Sequence, residues 1–453
     1  MIVTFIYPAV GKKENEQYPA SWKMEPLPIM TLAALTPPDI EVKFYDDRID
    51  KIDYDHQTDL VAINMEAYSA LRAYNVAKEF KKRGKAIVFG GYHATLMPQE
   101  AALRGDSVVV GEAENVWPQV IRDAKEGLAR GDIASKLRQV YKSEVRPVFG
   151  RILPRRDIID GKKYSKLALV ETGRGCRFAC NFCSIEAFFK STYSFLSPQT
   201  VVKIIESTDK RLFFFVDDNL GADSARAKQL FEALIPLKIS WVGQLSINMA
   251  KDEKLLALMR KSGCQGVLIG FESLNRENLR QMNKAWNISV DYSESLKKLH
   301  DNGLCIYATF MFGYDHDTAR SFEDTVEFAR QHRFFLAAFN HLMPFPGTQY
   351  YKTLEDENRI IHKNWWLDPE YTFGKIVFQP RNMSPAELET RCYDARNRFY
   401  AHGSILKRWL DFKTNSSSLL LSGIFLYQNL KAKNDVGIRR GLPLSKNLDT
   451  PFK

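Results

Sequence analysis

The stretch "GRGCRFACNFCS", residues 173–184, places three cysteines within a few positions of one another. Cys176, Cys180 and Cys183 have the spacing C-x3-C-x2-C. A structural zinc site needs four ligands, usually in pairs, and no histidine lies nearby in the sequence. A disulfide framework would leave one of the three thiols unpaired. An iron–sulfur cluster fits better, because three thiolates on four irons leave one iron free to bind a small molecule.

The motif follows the first of six strand-like runs that alternate with helical patterns. These runs are "LALVETG" (167–173), "RLFFFVDD" (211–218), "SWVGQLSIN" (240–248), "GVLIGFES" (266–273), "CIYATFMFG" (305–313) and "FFLAAFNHLMPF" (334–345). Their repetition predicts a partial, open (β/α)6 barrel over residues 166–380. The cysteines then lie at the C-terminal face of the barrel, where active sites occur. Cys264 and Cys305 open their strands at the opposite face and are interpreted as small buried apolar residues.

A second alternating series precedes the barrel. Short apolar runs such as "IVTFIYP" and "LVAINME" are separated by helical patterns such as residues 70–84, and this predicts a doubly wound parallel sheet over residues 1–135. The polar stretch 136–165 is interpreted as a linker. The tail, 381–453, is predicted to be a small helical extension that starts with a capping signature at Ser384 and packs on the barrel. Contact of this tail with a membrane surface is the alternative.

Composition and charge limit the classes of function that this chain can have. The 453 residues include 64 Lys and Arg against 54 Asp and Glu, and the resulting charge of +10 is spread along the chain. A solvated surface therefore explains the charge better than a nucleic-acid site, and the aromatic residues fall mainly inside strand-like runs. No apolar run approaches the roughly 20 residues that span a bilayer. A cytoplasmic, reducing location is predicted, where clustered thiols indicate metal or redox chemistry.

The motif and its place after the first barrel strand resemble the radical S-adenosylmethionine (SAM) superfamily. Phe182, just before the third cysteine, is the aromatic residue that this family usually has. The resemblance implies a [4Fe-4S] cluster on Cys176, Cys180 and Cys183, and SAM chelated to its open iron. It also implies one-electron cleavage of SAM to methionine and a 5′-deoxyadenosyl radical, with a flavodoxin or ferredoxin as the external electron donor. Such a radical removes hydrogen from a carbon that acid–base side chains cannot activate.

The resemblance also assigns polar residues at the ends of later strands to SAM. Asp217 and Asp218 are expected to accept from its ammonium group, with an Asp-rich turn as the alternative. The remaining positions are expected to contact ribose, carboxylate or adenine: Gln244, Ser246, Glu272, Ser273 and Gly313. Each of these loops is ordinary by itself, but together they recur at the C-terminal ends of the predicted strands.

The N-terminal domain resembles the cobalamin-binding domain that precedes the barrel in one radical SAM subclass. "FGGYHATLMPQEA" (89–101) and "VVVGEAENVWP" (108–118) carry the resemblance, and Gly90 and Gly91 allow close approach of a ligand to the backbone. The D-x-H-x-x-G motif that supplies a histidine below cobalt in other cobalamin proteins is absent. The loop 64–72 is expected to supply the residues under the cobalt instead, with Glu66 and Tyr68 as candidates.

Two functions follow from these resemblances. The first is cobalamin-dependent methylation of an unreactive carbon. The second is radical chemistry without methyl transfer, such as dehydration, cyclisation or rearrangement, in which the N-terminal domain does not use cobalamin. The substrate is expected to be a small molecule or a lipid, and no nucleic-acid partner is predicted. A zinc or iron–sulfur module that binds nucleic acid is the alternative from another class.

Overall fold

The computed structural model describes residues 1–148, 150 and 152–448. Its N-terminal sheet has six parallel strands in the order β2-β1-β3-β4-β5-β6. The strands are β1 (Ile2–Tyr7), β2 (Glu41–Asp46), β3 (Leu60–Asn64), β4 (Ala86–Gly90), β5 (Ser107–Val110) and β6 (Val140–Lys142). The helices are α1 (Leu27–Leu35), α2 (Ala70–Lys81), α3 (Tyr92–Leu96), α4 (Pro98–Ala102) and α5 (Trp117–Ala129). This confirms the doubly wound sheet.

Alternate residues of these strands enter two separate cores. Val3 and Phe5 pack with α1 and α5 on one face, and Ile6 packs with α2 on the other. β1 lies between β2 and β3, so the chain changes direction across the sheet at the gap between β1 and β3. Open parallel sheets bind ligands at the carboxyl ends of strands beside such a point.

The barrel is a second parallel sheet of six strands that curves without closing, in the order β14-β13-β12-β11-β10-β7. The barrel strands are β7 (Ala168–Val170), β10 (Leu212–Phe215), β11 (Ser240–Gln244), β12 (Cys264–Glu272), β13 (Cys305–Phe312) and β14 (Leu336–His341). A short antiparallel hairpin, β8 (Gly173–Gly175) and β9 (Tyr193–Phe195), follows β7. Each of the six predicted barrel strands is present, and their unbroken neighbour order is that of a repeated βα unit.

Helices separate the barrel strands. They are α6 (Ser184–Phe189), α7 (Pro198–Glu206), α8 (Ser224–Leu234), α9 (Glu253–Lys261), α10 (Arg276–Gln281), α11 (Tyr292–Asp301), α12 (Ala319–Gln331) and α13 (Gln349–Asp356). The helix α9 shows why they form: Asp252 caps its first turn through the Leu255 N–H, and Arg260 lies in its last turn. Its leucines pack into the main hydrophobic core, which the barrel strands form with the surrounding helices.

The structure changes one predicted boundary. β6 pairs with β5 and lies inside the stretch that was predicted to be a linker from residue 136 onward. Only Tyr141 of this three-residue strand is buried, so its sequence carries no alternating apolar pattern. The N-terminal sheet therefore extends to Lys142, and the connection to the barrel begins after it.

The tail contains three helices, α14 (Pro385–Phe399), α15 (His402–Trp409) and α16 (Leu419–Arg439). Ser384 caps α14 by accepting from the Glu387 N–H, as the capping signature predicts. Beyond α16, the segment 441–448 leaves the barrel and packs on the N-terminal domain, where the Ser445 N–H donates to the Val10 carbonyl at 2.7 Å. The last five residues of the predicted extension lie outside the described residues. None of the described helices has both the length and the apolar character that crossing a membrane requires.

Candidate active site

The cysteine loop leaves the barrel through a tight turn. β7 ends at Val170, and the hairpin strand β8 leads directly into Cys176. Gly175 has φ +84°, and a Cβ at this position would lie 2.2 Å from the Thr192 carbonyl oxygen. Only glycine fits such a position without moving the backbone. The three cysteines then occupy the turn between β8 and α6, at the C-terminal end of the first barrel strand.

The three thiols lie close enough to influence one another's protonation. Burial raises the pKa of Cys180 to about 12 and that of Cys183 to about 11, and it also raises the pKa of Cys176. Cys176 and Cys183 each raise the pKa of Cys180 further. Because metal ligation requires thiolates, cluster assembly on this loop has to release these protons.

The thiols are not arranged around a single ion. In the described part of the chain, no group of three or more His, Cys, Asp or Glu side chains is placed to hold one metal ion. A cubane does not require such a group, because each protein-bound iron takes one thiolate. The donor set, three thiols on one short loop without a fourth, therefore fits a [4Fe-4S] cluster.

Residues far away in the sequence fix the shape of the loop. The Asn181 side chain donates to the Gln281 carbonyl at 2.7 Å and accepts from the Tyr314 hydroxyl at 3.0 Å. The ring of Phe178 stacks on Trp286 at 3.9 Å. The segment after β12 thus packs directly on the cysteine loop. No local sequence pattern indicates these contacts, because the partners are about a hundred residues apart.

Asp218 is the predicted SAM residue that lies nearest to the cysteines. It accepts from the Gly175 N–H at 2.8 Å, and its charge raises the pKa values of Cys176 and Cys183. Burial raises its own pKa to about 6. The neighbouring Asn219, which sequence analysis did not assign, faces Cys176 and donates to Ser246 at 3.1 Å.

A buried ion pair lies on the other side of the loop. The Lys284 ammonium is 3.0 Å from the Glu272 carboxylate, and both side chains are largely buried. Burial lowers the pKa of Lys284, but attraction to Glu272 and to Cys180 outweighs it and leaves the pKa above its usual value. Glu272 has φ +62°, a left-handed conformation that is uncommon for this residue type. Sequence analysis predicted Glu272 and missed Lys284.

Phe182 and Gln244 keep the positions that were predicted for them. Phe182 packs on the main core and meets the Tyr314 ring edge-on, with 6.4 Å between the ring centroids. Gln244 is the last residue of β11 and is partly exposed at the C-terminal face. Both therefore lie at the end of the barrel that carries the cysteines.

Three predicted residues have structural contacts instead. Asp217 is 1% exposed and accepts from both the Thr172 N–H and the Thr172 hydroxyl, so its oxygens are occupied. Ser273 accepts from the Asn275 N–H in the turn before α10. A Cβ on Gly313 would lie 2.9 Å from side chains of the core, so this glycine allows close packing at the end of β13.

A cavity of about 710 Å³ lies between the N-terminal sheet and the barrel. From the sheet, its lining includes residues at the ends of β1, β3 and β4, and from the barrel it includes residues of β7, β8 and α6. The lining residues used below are Tyr7, Asn64, Glu66, Tyr68, Gly90, Gly91, Tyr92, Gly111, Glu171, Arg174, Phe188 and Phe373. The cavity therefore contains the switch point of the sheet and reaches the helix that follows Cys183.

The predicted residues of the N-terminal domain converge on this cavity. Glu66 lines the cavity and keeps an exposed surface, and desolvation by the surrounding protein raises the pKa of its carboxyl. The Tyr68 ring packs against Trp365 and Phe373 at 4.9 Å. Gly91 has φ +97°, and a Cβ there would lie 2.7 Å from Asn64. His93, by contrast, is buried away from the cavity and pairs with Glu100.

Tyr92 connects the cavity with the cysteine loop. Its ring packs on Phe188 of α6 at 4.7 Å. Burial raises the pKa of its phenol well above the usual value, and the charges of Asp218, Glu66 and Cys183 add to this effect. Tyr92 is therefore close enough to interact electrostatically with Glu66, which lines the cavity, and with the cysteine Cys183.

An ion network joins the two domains beside the cavity. Arg174 of β8 contacts Glu112 of the N-terminal domain at 3.2 Å and Glu171 of the barrel at 2.8 Å, and it also contacts Glu114. Arg146, from the connecting segment, binds Glu112 at 2.6 Å. Burial raises the pKa of Glu171, while Arg174 opposes this rise. Two guanidinium groups, those of Arg174 and Arg146, therefore face three carboxylates at the domain boundary.

Replacing Arg174 with methionine is expected to destabilise the chain by about 3 kcal/mol at pH 8, since Glu171 and Glu114 lose this cation and Glu112 retains Arg146. Because Arg174 opposes the rise in the pKa of Glu171, its removal raises that folded-state pKa further. A carboxyl with a raised folded-state pKa destabilises the folded state at pH values above its unfolded pKa, so the loss should shrink as the pH falls toward 5. Urea unfolding at both pH values measures this.

The matched control is Arg83→Met, because Arg83 makes its ion pair with the exposed Asp55. Exposed pairs of this kind contribute roughly 1 kcal/mol or less. An equal loss for Arg174→Met at pH 5 and pH 8, or a loss no larger than that of the control, would contradict this account of the domain boundary.

Comparisons with known proteins agree with this geometry. The family model of the radical SAM superfamily matches residues 170–329. The chain is 30% identical over 396 residues to bacteriochlorophyllide d C-12(1)-methyltransferase of Chlorobaculum tepidum, and the match covers 84% of each chain. It is also 30% identical to the C-8(2)-methyltransferase of the same organism over 405 residues, which cover 84% of this chain and 86% of that one.

Solved structures share the same fold. The radical SAM methyltransferase TsrM from Kitasatospora setae, solved with cobalamin and a [4Fe-4S] cluster bound, has a TM-score of 0.61 at 15% identity. The match covers 90% of this chain and 88% of TsrM. TsrM therefore shows the fold that this chain adopts over both of its domains. Together with the relatives at 30% identity, the family model shows that the chain belongs to the radical SAM superfamily and is an enzyme that uses a [4Fe-4S] cluster and SAM.

Proposed function

We propose that this enzyme is a cobalamin-dependent methyltransferase that acts on an unactivated carbon. The observation that carries the proposal is the cavity between the domains, which extends from the switch point of the N-terminal sheet to α6, the helix that follows the cysteine loop. Its volume of about 710 Å³ lies in the range of sites for cofactors and similar ligands. The methyltransferase relatives at 30% identity support the same reaction type.

The residues present fit a cobalamin. Gly90 and Gly111 line the cavity, and a Cβ on either would point into open space, with nothing nearer than 3.9 Å. Such positions let a flat macrocycle lie against the backbone. Aromatic and aliphatic side chains form much of the wall, among them Phe188 and Phe373. When bound, cobalamin supplies a methyl group carried on cobalt.

Glu66 and Tyr68 are proposed to lie under the cobalt. They follow β3 at the switch point, and no histidine is among the described residues that line the cavity. The raised pKa of Glu66 favours its neutral carboxylic acid compared with an ordinary glutamate. A neutral acid can donate a hydrogen bond and adds no charge to the apolar site. Tyr68, whose ring packs against Trp365 and Phe373, lines the same cavity as Glu66.

SAM is proposed to lie on the barrel side of the cysteine loop. Asp218 provides the acceptor for the ammonium group, and Lys284 provides the cation for the carboxylate. Gln244 and Ser246 face the same end of the barrel and offer polar groups to the ribose. Asp217 holds Thr172 in place and so positions the strand end that carries Asp218.

Electrons are proposed to enter through the outer side of the loop. Arg177 and Ala179 lie between the cluster ligands and are exposed. Arg177 is positively charged and retains more than half of its side-chain exposure although it contacts Asp223 at 3.2 Å. A positively charged patch suits an acidic electron donor of the flavodoxin or ferredoxin type.

The substrate is proposed to be a hydrophobic polycyclic molecule. Two relatives at 30% identity act on bacteriochlorophyllide d, and the cavity wall is rich in apolar side chains. A tetrapyrrole of this type is therefore the first substrate to test. Its rings would pack on aromatic side chains, and its reacting carbon would have to reach the end of the cavity next to Tyr92.

Anaerobic turnover tests the proposal. The reconstituted chain, with SAM, a reductant and a bacteriochlorophyllide, is expected to form methylated product only when cobalamin is present. Isotopically labelled SAM identifies the source of the methyl group in mass spectra of the product. Full turnover without cobalamin would contradict the proposal and favour the second function, radical chemistry without methyl transfer.

A further inference from the structure

The solvent-exposed face of α16 carries apolar residues, although exposed helix faces are usually polar. Leu420, Ile424 and Tyr427 recur at helical spacing on this face, and all are exposed. Leu419, the first residue of the helix, is 95% exposed. Single exposed leucines are common on proteins, but a row along one helix face is not.

The buried face of the same helix is partly polar. Asn429 is fully buried and donates to the Phe335 carbonyl at 3.0 Å, and Asp435 accepts from Ser21 at 2.8 Å. A surface helix normally turns its apolar stripe toward the core. α16 binds the barrel through Asn429 and the N-terminal domain through Asp435. It leaves Leu419, Leu420 and Leu430 exposed, so this face matches an apolar environment rather than water.

α15 and the loop after it extend this face. The Trp409 ring nitrogen donates to the Ser422 hydroxyl at 2.7 Å, which joins the end of α15 to the start of α16. Exposed apolar side chains therefore collect at one end of the helix pair. We call them the C-terminal apolar surface: Leu406, Leu410, Phe412, Leu419, Leu420 and Ile424.

Basic residues surround this surface. Lys407 and Lys413 flank it on the α15 side, and Lys431 and Lys433 follow it along α16. The only carboxylates between residues 401 and 448 are Asp411 and Asp435, and both are buried. Lys413 pairs with Asp301 of α11, but that carboxylate also binds Lys297 at 2.6 Å. The rim of the surface is therefore positively charged.

We propose that the C-terminal apolar surface docks on the face of an anionic lipid bilayer. The leucines enter the boundary between headgroups and acyl chains, and the lysines of the rim meet lipid phosphates. The second half of α16 carries Lys431 and Lys433, and a helix with basic residues along its length beyond the leucines is expected to lie in the plane of the membrane. Docking of two copies of this face would bring two positive rims together, which favours lipid over self-association.

Flotation with lipid vesicles tests the proposal on the full chain. Wild-type protein is expected to bind vesicles of phosphatidylcholine mixed with phosphatidylglycerol, to bind phosphatidylcholine alone more weakly, and to lose binding at high salt. The double variant Leu419→Glu/Leu420→Glu should bind the anionic vesicles roughly a hundredfold more weakly, because two leucines no longer enter the membrane. Glutamates in the first helical turn favour the helix, so this variant should fold.

Leu103→Glu is the matched control. Leu103 is 84% exposed but belongs to the N-terminal domain, far from α16 in sequence, and its replacement should leave vesicle binding unchanged. SAM cleavage should be unchanged in both variants. Absence of wild-type binding, or equal binding by the double variant, would overturn the proposal. Light scattering that shows a wild-type dimer dissolved by the double substitution would assign the surface to a second copy and overturn it as well.

Discussion

Replacing Cys176, Cys180 or Cys183 with alanine is expected to abolish both the iron–sulfur cluster and SAM cleavage. Each thiolate holds a different iron, and the loop offers no fourth cysteine that could take over. Anaerobically purified variants should lose the visible absorption band, most of their iron and sulfide, and the formation of 5′-deoxyadenosine. Since contacts of Asn181 and Phe178 hold the loop without the thiols, the fold itself should survive, which circular dichroism can verify.

Cys264→Ala provides the comparison for this experiment. Cys264 is the first residue of β12, at the end of the barrel away from the loop, and it is fully buried. The same substitution there should keep the cluster and the cleavage of SAM. An intact cluster in all three loop variants would refute the assignment of the ligands.

Replacing Gly90 with phenylalanine is expected to remove cobalamin binding and methyl transfer while SAM cleavage continues. The backbone of Gly90 does not need a positive φ, and a side chain added there points into the cavity. A ring that overfills a site costs on the order of 3 kcal/mol, so affinity should fall about a hundredfold. Cobalamin binding followed by absorption and 5′-deoxyadenosine measured by chromatography separate the two effects.

Gly403→Phe is the control for this variant. Gly403 lies in α15, where an added Cβ has no neighbour within 4 Å, and it is remote from the cavity lining. Cobalamin affinity should stay at the wild-type value there. If Gly90→Phe bound cobalamin as tightly as wild type, the cavity would not be the cobalamin site.

The architecture could be predicted from sequence because it depends on local patterns. Each barrel strand is a short apolar run next to a capped helix, and the order of the strands follows from the repeated unit. The cysteine spacing is also local, so Cys176, Cys180 and Cys183 could be predicted as the ligands of the cluster without a structure. The strand β6 was missed because only Tyr141 of its three residues is buried.

The finer parts of the site depend on contacts that sequence does not encode locally. Asp217 and Asp218 are neighbours, yet the first turns inward to Thr172 and the second accepts from the Gly175 N–H. Which of the two aspartates faces the cysteine loop depends on the residue at which β10 ends. Hydrophobic sequence patterns predict the ends of strands less reliably than their existence. Lys284 and Asn181 gave no signal either, because their partners are distant in the chain.

The helix α16 buries polar residues and exposes apolar ones, and only the structure shows this arrangement. Its apolar residues predicted packing on the barrel, but the structure buries Asn429 and leaves Leu420 in the open. A helical pattern shows which residues share a face, and it does not show which face the rest of the chain covers. The barrel side of α16 contributes Phe425, which packs on Phe335, while its opposite side leaves Leu420 exposed.

The iron and cobalamin content of the anaerobically reconstituted wild-type chain tests the central claim most directly. The account predicts about four irons and about one cobalamin per chain, bound together in the same sample. It also predicts that the Cys176→Ala variant loses the iron and the Gly90→Phe variant loses the cobalamin. A colourless protein that holds zinc instead of iron, or a chain that carries the cluster and binds no cobalamin, would contradict it.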